Sequence, residues 1–152
     1  MNWDAVGAIA ELAGALGVIV TLLYLSSQLR HNTKALKSST YQAYSSTAMS
    51  TIDSLSDNAE IAVKAGLGEE LSQAEELRLS LYAAKLFSQM ETIFLHYSEG
   101  LIDDEVFEAR MSGLKKALGD GNTLKYWNIW KQYDLVKAFV RHVDENLIEG
   151  NT

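Results

Sequence analysis

The apolar positions of this chain are concentrated at its N-terminal end, in a run from Ala5 to Leu29 whose only charged side chain is Glu11. As a helix this run would measure roughly 36 Å, enough to cross a hydrocarbon core of roughly 30 Å with some tilt. Trp3 and Tyr24 lie near its two ends, where aromatic rings settle at lipid interfaces. The pattern predicts a single transmembrane helix within residues 1–29.

A core helix of a water-soluble protein and a secretory signal peptide are the two alternatives to a membrane span. Gly7, Gly14 and Gly17 argue against the core helix, because each glycine costs about 1 kcal/mol in an aqueous helix but is common between packed membrane helices. No basic residue precedes the apolar run, which argues against the signal peptide. The transmembrane interpretation is therefore preferred.

Small and polar residues recur along one side of the predicted helix, four and three residues apart in alternation. They are Gly7, Glu11, Gly14, Val18, Thr21, Leu25 and Gln28. Polar groups on this stripe would lack hydrogen-bond partners among acyl chains, so we expect the stripe to face protein. Because the chain offers one span, a second copy of the chain is the simplest partner. Gly17, four residues after Ala13, adds a small-residue pair that favours close approach.

Glu11 carries the main functional hypothesis, since an ionisable side chain inside a membrane span is costly and by default marks a functional or assembly site. Two interpretations stay open. In the first, a non-enzymatic scaffold or interaction module self-associates through its N-terminal helix, or pairs with another membrane protein through Glu11. In the second, a homo-oligomeric pore conducts ions through a ring of Glu11 side chains, with Thr21 and Gln28 lining the path.

The residues that flank the apolar run predict its orientation. Arg30, Lys34 and Lys37 follow the run directly, whereas only Asp4 precedes it. The positive-inside rule then places the N-terminus outside and the rest of the chain in the cytoplasm. The same bases lie where anionic lipid head groups would be, although a topology signal alone is the preferred interpretation.

The N-terminal helix is predicted to continue beyond the membrane to about Asp57. The sequence contains no proline, and no glycine falls between Gly17 and Gly66. The predicted organisation is a transmembrane helix over 1–29, a cytosolic extension over 30–57 and a helical cytosolic domain over 58–152. The serine- and threonine-rich runs at 38–40 and 45–47 would admit a hinge. We expect the helical domain to pack against an apolar face of this extension, formed by Tyr41, Tyr44, Ala48, Ile52 and Leu55.

Residues 58–152 predict a compact bundle of helices. Asp57 or Asn58 is expected to cap a short helix before Gly66, Ser72 and Glu75 form a capping box for a central helix to about Ser98, and Gly100 ends that helix. Asp103 is expected to cap a helix that ends near Gly119. Residues 120–122 predict a turn, and a last pair of helices carries an aromatic packing face of Trp127, Trp130 and Tyr133. No alternating strand pattern competes, so the predicted fold class is all-α.

Composition limits the function further. Acidic residues outnumber basic ones 20 to 13 in the 152-residue chain, and Arg30, Lys34 and Lys37 lie outside the predicted domain, which is therefore distinctly acidic. An acidic domain argues against nucleic acid as a partner. The chain has no cysteine, and its three histidines lack metal-ligand spacing. Glycine pairs such as Gly66 and Gly68 do not follow a strand, so no phosphate loop is predicted. We expect no catalytic residue, no cofactor and no metal.

Two motifs carry a resemblance to a known family. The first comprises Trp3, Gly7, Glu11, Gly14-Ala15, Thr21-Leu22, Tyr24-Leu25, Gln28-Leu29-Arg30, Asn32-Thr33-Lys34-Ala35-Leu36 and Ser39-Thr40-Tyr41-Gln42. The second comprises Tyr97, Gly100-Leu101-Ile102-Asp103, Trp127, Phe139-Val140 and Val143-Asp144. Over nearly its whole length the chain resembles a family of small uncharacterised bacterial membrane proteins, departing from it in having Phe107 where that helix carries tryptophan and in lacking loop prolines. The resemblance implies the same architecture and a bacterial inner membrane, and it implies no reaction.

Overall fold

The computed structural model describes residues 2–133 and 135–149, with Ala5 described by its backbone alone, so the end of the predicted domain beyond Glu149 lies outside the described residues. All regular structure in these ranges is helical, which confirms the all-α fold class. The helices are α1 Trp3–Asp57, α2 Ala59–Gly66, α3 Gln73–Ser98, α4 Asp104–Leu118, α5 Gly121–Trp130 and α6 Lys137–Val143, and a π-helical turn Asp144–Ile148 continues α6.

The long helix α1 has the predicted bounds, Trp3–Asp57, and is unbroken over its 55 residues. Among the described residues it is the helix long and apolar enough to cross a membrane by length and composition, with a stretch of mean hydropathy 2.1 of which nothing is buried. The hydroxyl-rich part is helical as well, without the hinge that its composition would admit, and its hydroxyls bond to carbonyls of the preceding turn. Thr47 Oγ1, for example, donates to the Ala43 carbonyl at 3.0 Å, and Thr51 Oγ1 to the Thr47 carbonyl at 3.0 Å.

The chain divides into two compact units, Met1–Ser39 and Thr40–Thr152, so that α1 contributes to both. The first unit consists of the apolar part of α1 and the basic residues that follow it. The second unit contains the hydrophobic core.

The core of the second unit is built around the indole of Trp127, which is fully buried. Its ring meets Phe87 of α3 edge-on at 5.2 Å between centroids and Phe139 of α6 at 5.8 Å. The indole N–H donates to Asp144 Oδ1 at 2.8 Å, and Lys131 Nζ lies 3.1 Å from the same carboxylate. Burial and a satisfied donor thus fix α3, α5 and α6 around one side chain.

Local signals predicted most helix ends correctly. The capping box of Ser72 and Glu75 opens α3, and Gly100, with φ of 72°, follows its end. Asn58 and Asp103 occupy the N-cap positions of α2 and α4, but the side chain of neither accepts a capping hydrogen bond. The predicted turn at residues 120–122 is wrong, because Asp120 caps α5 by accepting the N–H of Asn122 at 3.5 Å, so that the helix already begins at Gly121.

The predicted aromatic face of the last helices is also only partly correct. Trp127 is buried, and Trp130 is half-buried with its indole N–H 3.1 Å from the Ser80 carbonyl. Tyr133 is 76% exposed, because α5 ends at Trp130 and the helical spacing no longer applies three residues later.

The face that α1 turns toward the rest of the second unit agrees with the predicted one only in part. Tyr41, Tyr44 and Ala48 are half-buried, and Tyr44 packs against the core. Ile52 and Leu55, also predicted for this face, are 59% and 38% exposed.

Polar groups add to the contact of α1 with α3. Lys85 Nζ of α3 donates to the Ser50 carbonyl at 2.6 Å and to Ser54 Oγ at 2.6 Å, and Thr51 is buried. These bonds fix the rotation of α1, which leaves the two apolar side chains at an open groove.

Glu75 makes the stability of the second unit depend on pH. Hydrogen bonds from the Ser72 side chain and backbone N–H, followed by those from Lys64 Nζ at 3.0 Å, lower the pKa of Glu75 from 4.5 to about 2. The folded state therefore favours the ionised carboxylate, and this contribution is present above pH 4.5 and is lost as the pH falls toward 2.

We expect Glu75→Gln to reduce the pH dependence of unfolding between pH 4.5 and pH 2, where the pKa of Glu75 differs between the folded and unfolded chain. The measurement is urea unfolding of the full chain in mild detergent, followed by circular dichroism at both pH values. Glu99→Gln, an exposed change at the other end of α3, is the charge-matched control. Equal pH dependence in wild type and Glu75→Gln would contradict the assigned role.

Candidate helix-packing stripe

The stripe of seven residues lies on one side of α1. At 3.6 residues per turn its members fall within a sector of about 100°, and from Gly7 to Gln28 they extend about 30 Å along the axis, close to the thickness of a hydrocarbon core. Gly17 lies at the border of this sector, about 80° from Gly7 around the axis. All these positions are exposed in the single chain.

Three glycines leave open notches on this surface. A Cβ atom built on Gly7, Gly14 or Gly17 meets nothing within 4 Å among the described residues. The packing of the chain itself therefore does not require glycine there, although each one costs about 1 kcal/mol relative to alanine in an aqueous helix. Close approach of another helix is the established use of such positions in membranes.

The polar side chains of the stripe differ in whether they form hydrogen bonds within the helix. Thr21 Oγ1 donates to the Gly17 carbonyl at 2.8 Å, and Gln28 Nε2 donates to the Tyr24 hydroxyl at 2.9 Å. Because the Thr21 donor is satisfied inside the helix, Thr21 needs no partner from outside to be stable in lipid. Glu11 makes no hydrogen bond or ion pair with any residue that the structure describes, so its carboxylate is the polar group that most requires a partner.

Exposure by itself does not distinguish the two sides of α1. Val18 and Leu25 on the stripe are 60% and 49% exposed, and Leu16 and Leu23 on the opposite side are 55% and 66% exposed. The difference between the sides is chemical. One side offers small residues and Glu11, whereas the other offers branched aliphatic side chains that suit acyl chains.

The basic residues predicted to set topology lie on the next turns of α1. Arg30 and Lys34 are exposed, as is His31 between them, whereas Lys37 is half-buried. Their role in topology or in contact with lipid head groups stays a prediction.

No group of three or more His, Cys, Asp or Glu side chains is positioned to hold a metal ion within the described ranges. His142 lies among rings, 5.2 Å from the centroid of Phe94, and burial lowers its pKa. Its Nε2 atom is buried and has no hydrogen-bond partner in the described part of the chain, which fits a neutral imidazole in an aromatic cluster.

One polar position inside the bundle was not predicted from the sequence. Gln89 is 6% exposed on α3, beside the core residues Phe87 and Met90. The guanidinium of Arg110 lies 5.1 Å from the centroid of the Tyr44 ring. A glutamine at a core position of an otherwise apolar helix face was the available signal.

Comparison with models of protein families, with curated proteins and with solved structures gives no match. The resemblance to a family of small bacterial membrane proteins therefore stays a prediction.

Proposed function

We propose that this protein is a single-pass membrane protein that self-associates through the stripe and presents its acidic helical unit to the cytoplasm as a scaffold or interaction module. One observation carries the proposal. An exposed apolar helix has glycine notches and an unpartnered carboxylate along one side. No enzymatic activity is proposed.

The membrane part of the proposal rests on the cost of leaving α1 in water. Large aliphatic side chains are exposed on all its sides, among them Leu12 at 64%, Val20 at 65% and Leu23 at 66%. Apolar surface costs about 25 cal/mol per Å² in water, so a continuous surface of this kind favours insertion into lipid. The family resemblance supplies the bacterial inner membrane as the specific location.

Self-association is supported by the depth of the residues involved. Copies of one chain inserted in one orientation carry Gly7, Gly14 and Glu11 at the same depth, so their stripes meet in register. The glycine notches admit a neighbouring backbone, and van der Waals contact is the main driving force for helix association in lipid. A different membrane protein would need a matching stripe and a group that pairs with Glu11.

The scaffold is favoured over the pore by the internal bond of Thr21. A water-filled path requires lining groups that interact with water or ions. The Thr21 hydroxyl instead donates to the Gly17 carbonyl, and glycines at three positions favour tight contact without a lumen. The pore alternative is supported by the polar character of the stripe, which extends over about 30 Å.

We expect Gly14→Leu to shift the protein toward smaller species, because a side chain in the notch separates the helices. The measurement is subunit counting in native membrane patches, supported by size measurement in mild detergent. Ala15→Leu adds the same side chain at nearly the same depth but about 100° around the helix, and should leave the subunit number unchanged. A wild-type protein that is already monomeric would overturn the proposal.

We expect Glu11→Gln to preserve the subunit number, because glutamine retains hydrogen bonding, and Glu11→Leu to change it. Conductance across planar bilayers distinguishes the alternatives. If the protein is a pore, wild type conducts cations and Glu11→Gln lowers that conductance without changing oligomer size. If both variants leave assembly and conductance as in wild type, Glu11 has no role in either.

We expect a reporter fused after Thr152 to be active only on the cytoplasmic side, because Arg30, Lys34 and Lys37 are retained there. Replacing these three bases with glutamine and adding lysines before Trp3 should reverse the reporter's location. Activity of the wild-type fusion outside the cell would contradict the proposed orientation.

A further inference from the structure

The second unit contains a groove that none of the proposed functions uses. Two adjoining cavities of about 270 Å³ and 250 Å³ are bordered by the C-terminal part of α1 together with α3 and α4. They have Leu55, Tyr82, Leu86 and Ala117 in common, so they form one continuous space, which we call the interhelical groove. It extends past α1 residues 44–55, a length of about 16 Å.

The middle of the groove is apolar, and its two ends differ in charge. We call the end beside Tyr44 the near end and the end beside Asp120 the far end. Ile52, Leu86 and Met90 line the wider cavity, and Asp120 lies at the far end among small residues of α2 and α3. At the near end the charged group is Arg110. An occupant would therefore have an anionic group at the near end and an aliphatic portion along the middle.

Gln89 supplies a polar group at the near end. Its side chain is 6% exposed and lines the wider cavity, and it makes no hydrogen bond with the residues that the structure describes. Its amide is not among the buried polar atoms that lack a partner, so solvent in the groove still reaches it. A ligand oxygen in the groove would accept a hydrogen bond from this amide in place of water.

Arg110 provides the charge beside this amide. The cation–π contact with Tyr44 holds the guanidinium at the wall of the groove, and no carboxylate within the described ranges lies within ion-pair distance of it. Tyr44 and Tyr82 also line the groove, and burial raises the pKa of both phenols, so their hydroxyls stay neutral.

We propose that the interhelical groove binds a single-chain aliphatic carboxylate, with the carboxylate at Arg110 and Gln89 and the chain along Leu86 and Ala117. A planar guanidinium matches a carboxylate through two parallel N–H donors, and the glutamine amide adds a third. One cation suits a monoanion better than a phosphate ester. The site does not depend on self-association of α1.

The test uses the full chain in polymer-bounded lipid discs, with methionine methyl groups labelled with ¹³C and octanoate as the probe. Met90 lines the groove, whereas Met49 and Met111 are not among its lining residues and serve as references. We expect octanoate to shift the Met90 signal saturably, and octan-1-ol, which has the same chain without the charge, to bind about tenfold more weakly.

Three variants assign the binding to the groove. Arg110→Gln should abolish the roughly tenfold preference for octanoate over octan-1-ol, since the charge-assisted bonds are lost. Arg141→Gln, which removes the same charge from an exposed position on α6, should leave the preference intact. Ala117→Leu narrows both cavities and should weaken the binding of octanoate and of octan-1-ol by similar factors. An unchanged Met111 signal verifies folding in each case.

Three results would overturn the proposal. In the first, octanoate does not shift Met90 saturably in the wild type. In the second, octanoate and octan-1-ol bind equally well. In the third, the exposed Met49 shifts as much as Met90, which indicates partition of the probe into lipid instead of binding in the groove.

Discussion

The apolar surface of α1 is not buried by any described residue, and this exposure is the constraint on which the proposed function depends. In water such a surface would drive aggregation, which is why we propose that it lies in lipid. Lipid in turn requires every backbone group to be satisfied within the segment, which an unbroken helix without proline achieves. The hydroxyls of Thr21 and Thr33 meet the same requirement by donating to carbonyls four residues earlier. The charged side chain of the apolar run, Glu11, has no partner among the described residues.

The second unit is held together by a different interaction, burial around Trp127. The indole is completely buried and donates a hydrogen bond to Asp144. The carboxylate of Asp144 also forms an ion pair with Lys131. Stacking of Tyr97 on Phe107, at 3.9 Å between centroids, extends the aromatic core to α4. The indole N–H groups of this core are hydrogen-bonded, whereas Nε2 of His142 is buried among rings without a described partner.

Predictions from the sequence were accurate where the signal lies within a few residues and failed where contacts between distant residues decide the outcome. The capping box at Ser72 and the glycine at 100 act within one helical turn, and both ends of α3 were predicted correctly. Helical spacing also predicted that the stripe residues share one side of α1, because this depends only on the geometry of a single helix. Their role in packing stays a prediction. The exposure of Ile52 was not predictable, because periodicity gives a residue's angle on its own helix but not the rotation of that helix against its neighbours. Hydrogen bonds from Lys85, distant in sequence, set that rotation.

The stripe and the interhelical groove support inferences of the same physical kind. Glycine at position 14 weakens a helix without relieving any contact within the described chain, and Gln89 places an amide at a core position of α3 where no described residue bonds to it. Each is a local cost in a fold whose other choices agree with one another, and such exceptions concentrate at functional positions. The chemistry of each exception then limits the partner: a notch without polar atoms calls for a closely packed helix, and an amide beside a guanidinium calls for an anionic oxygen.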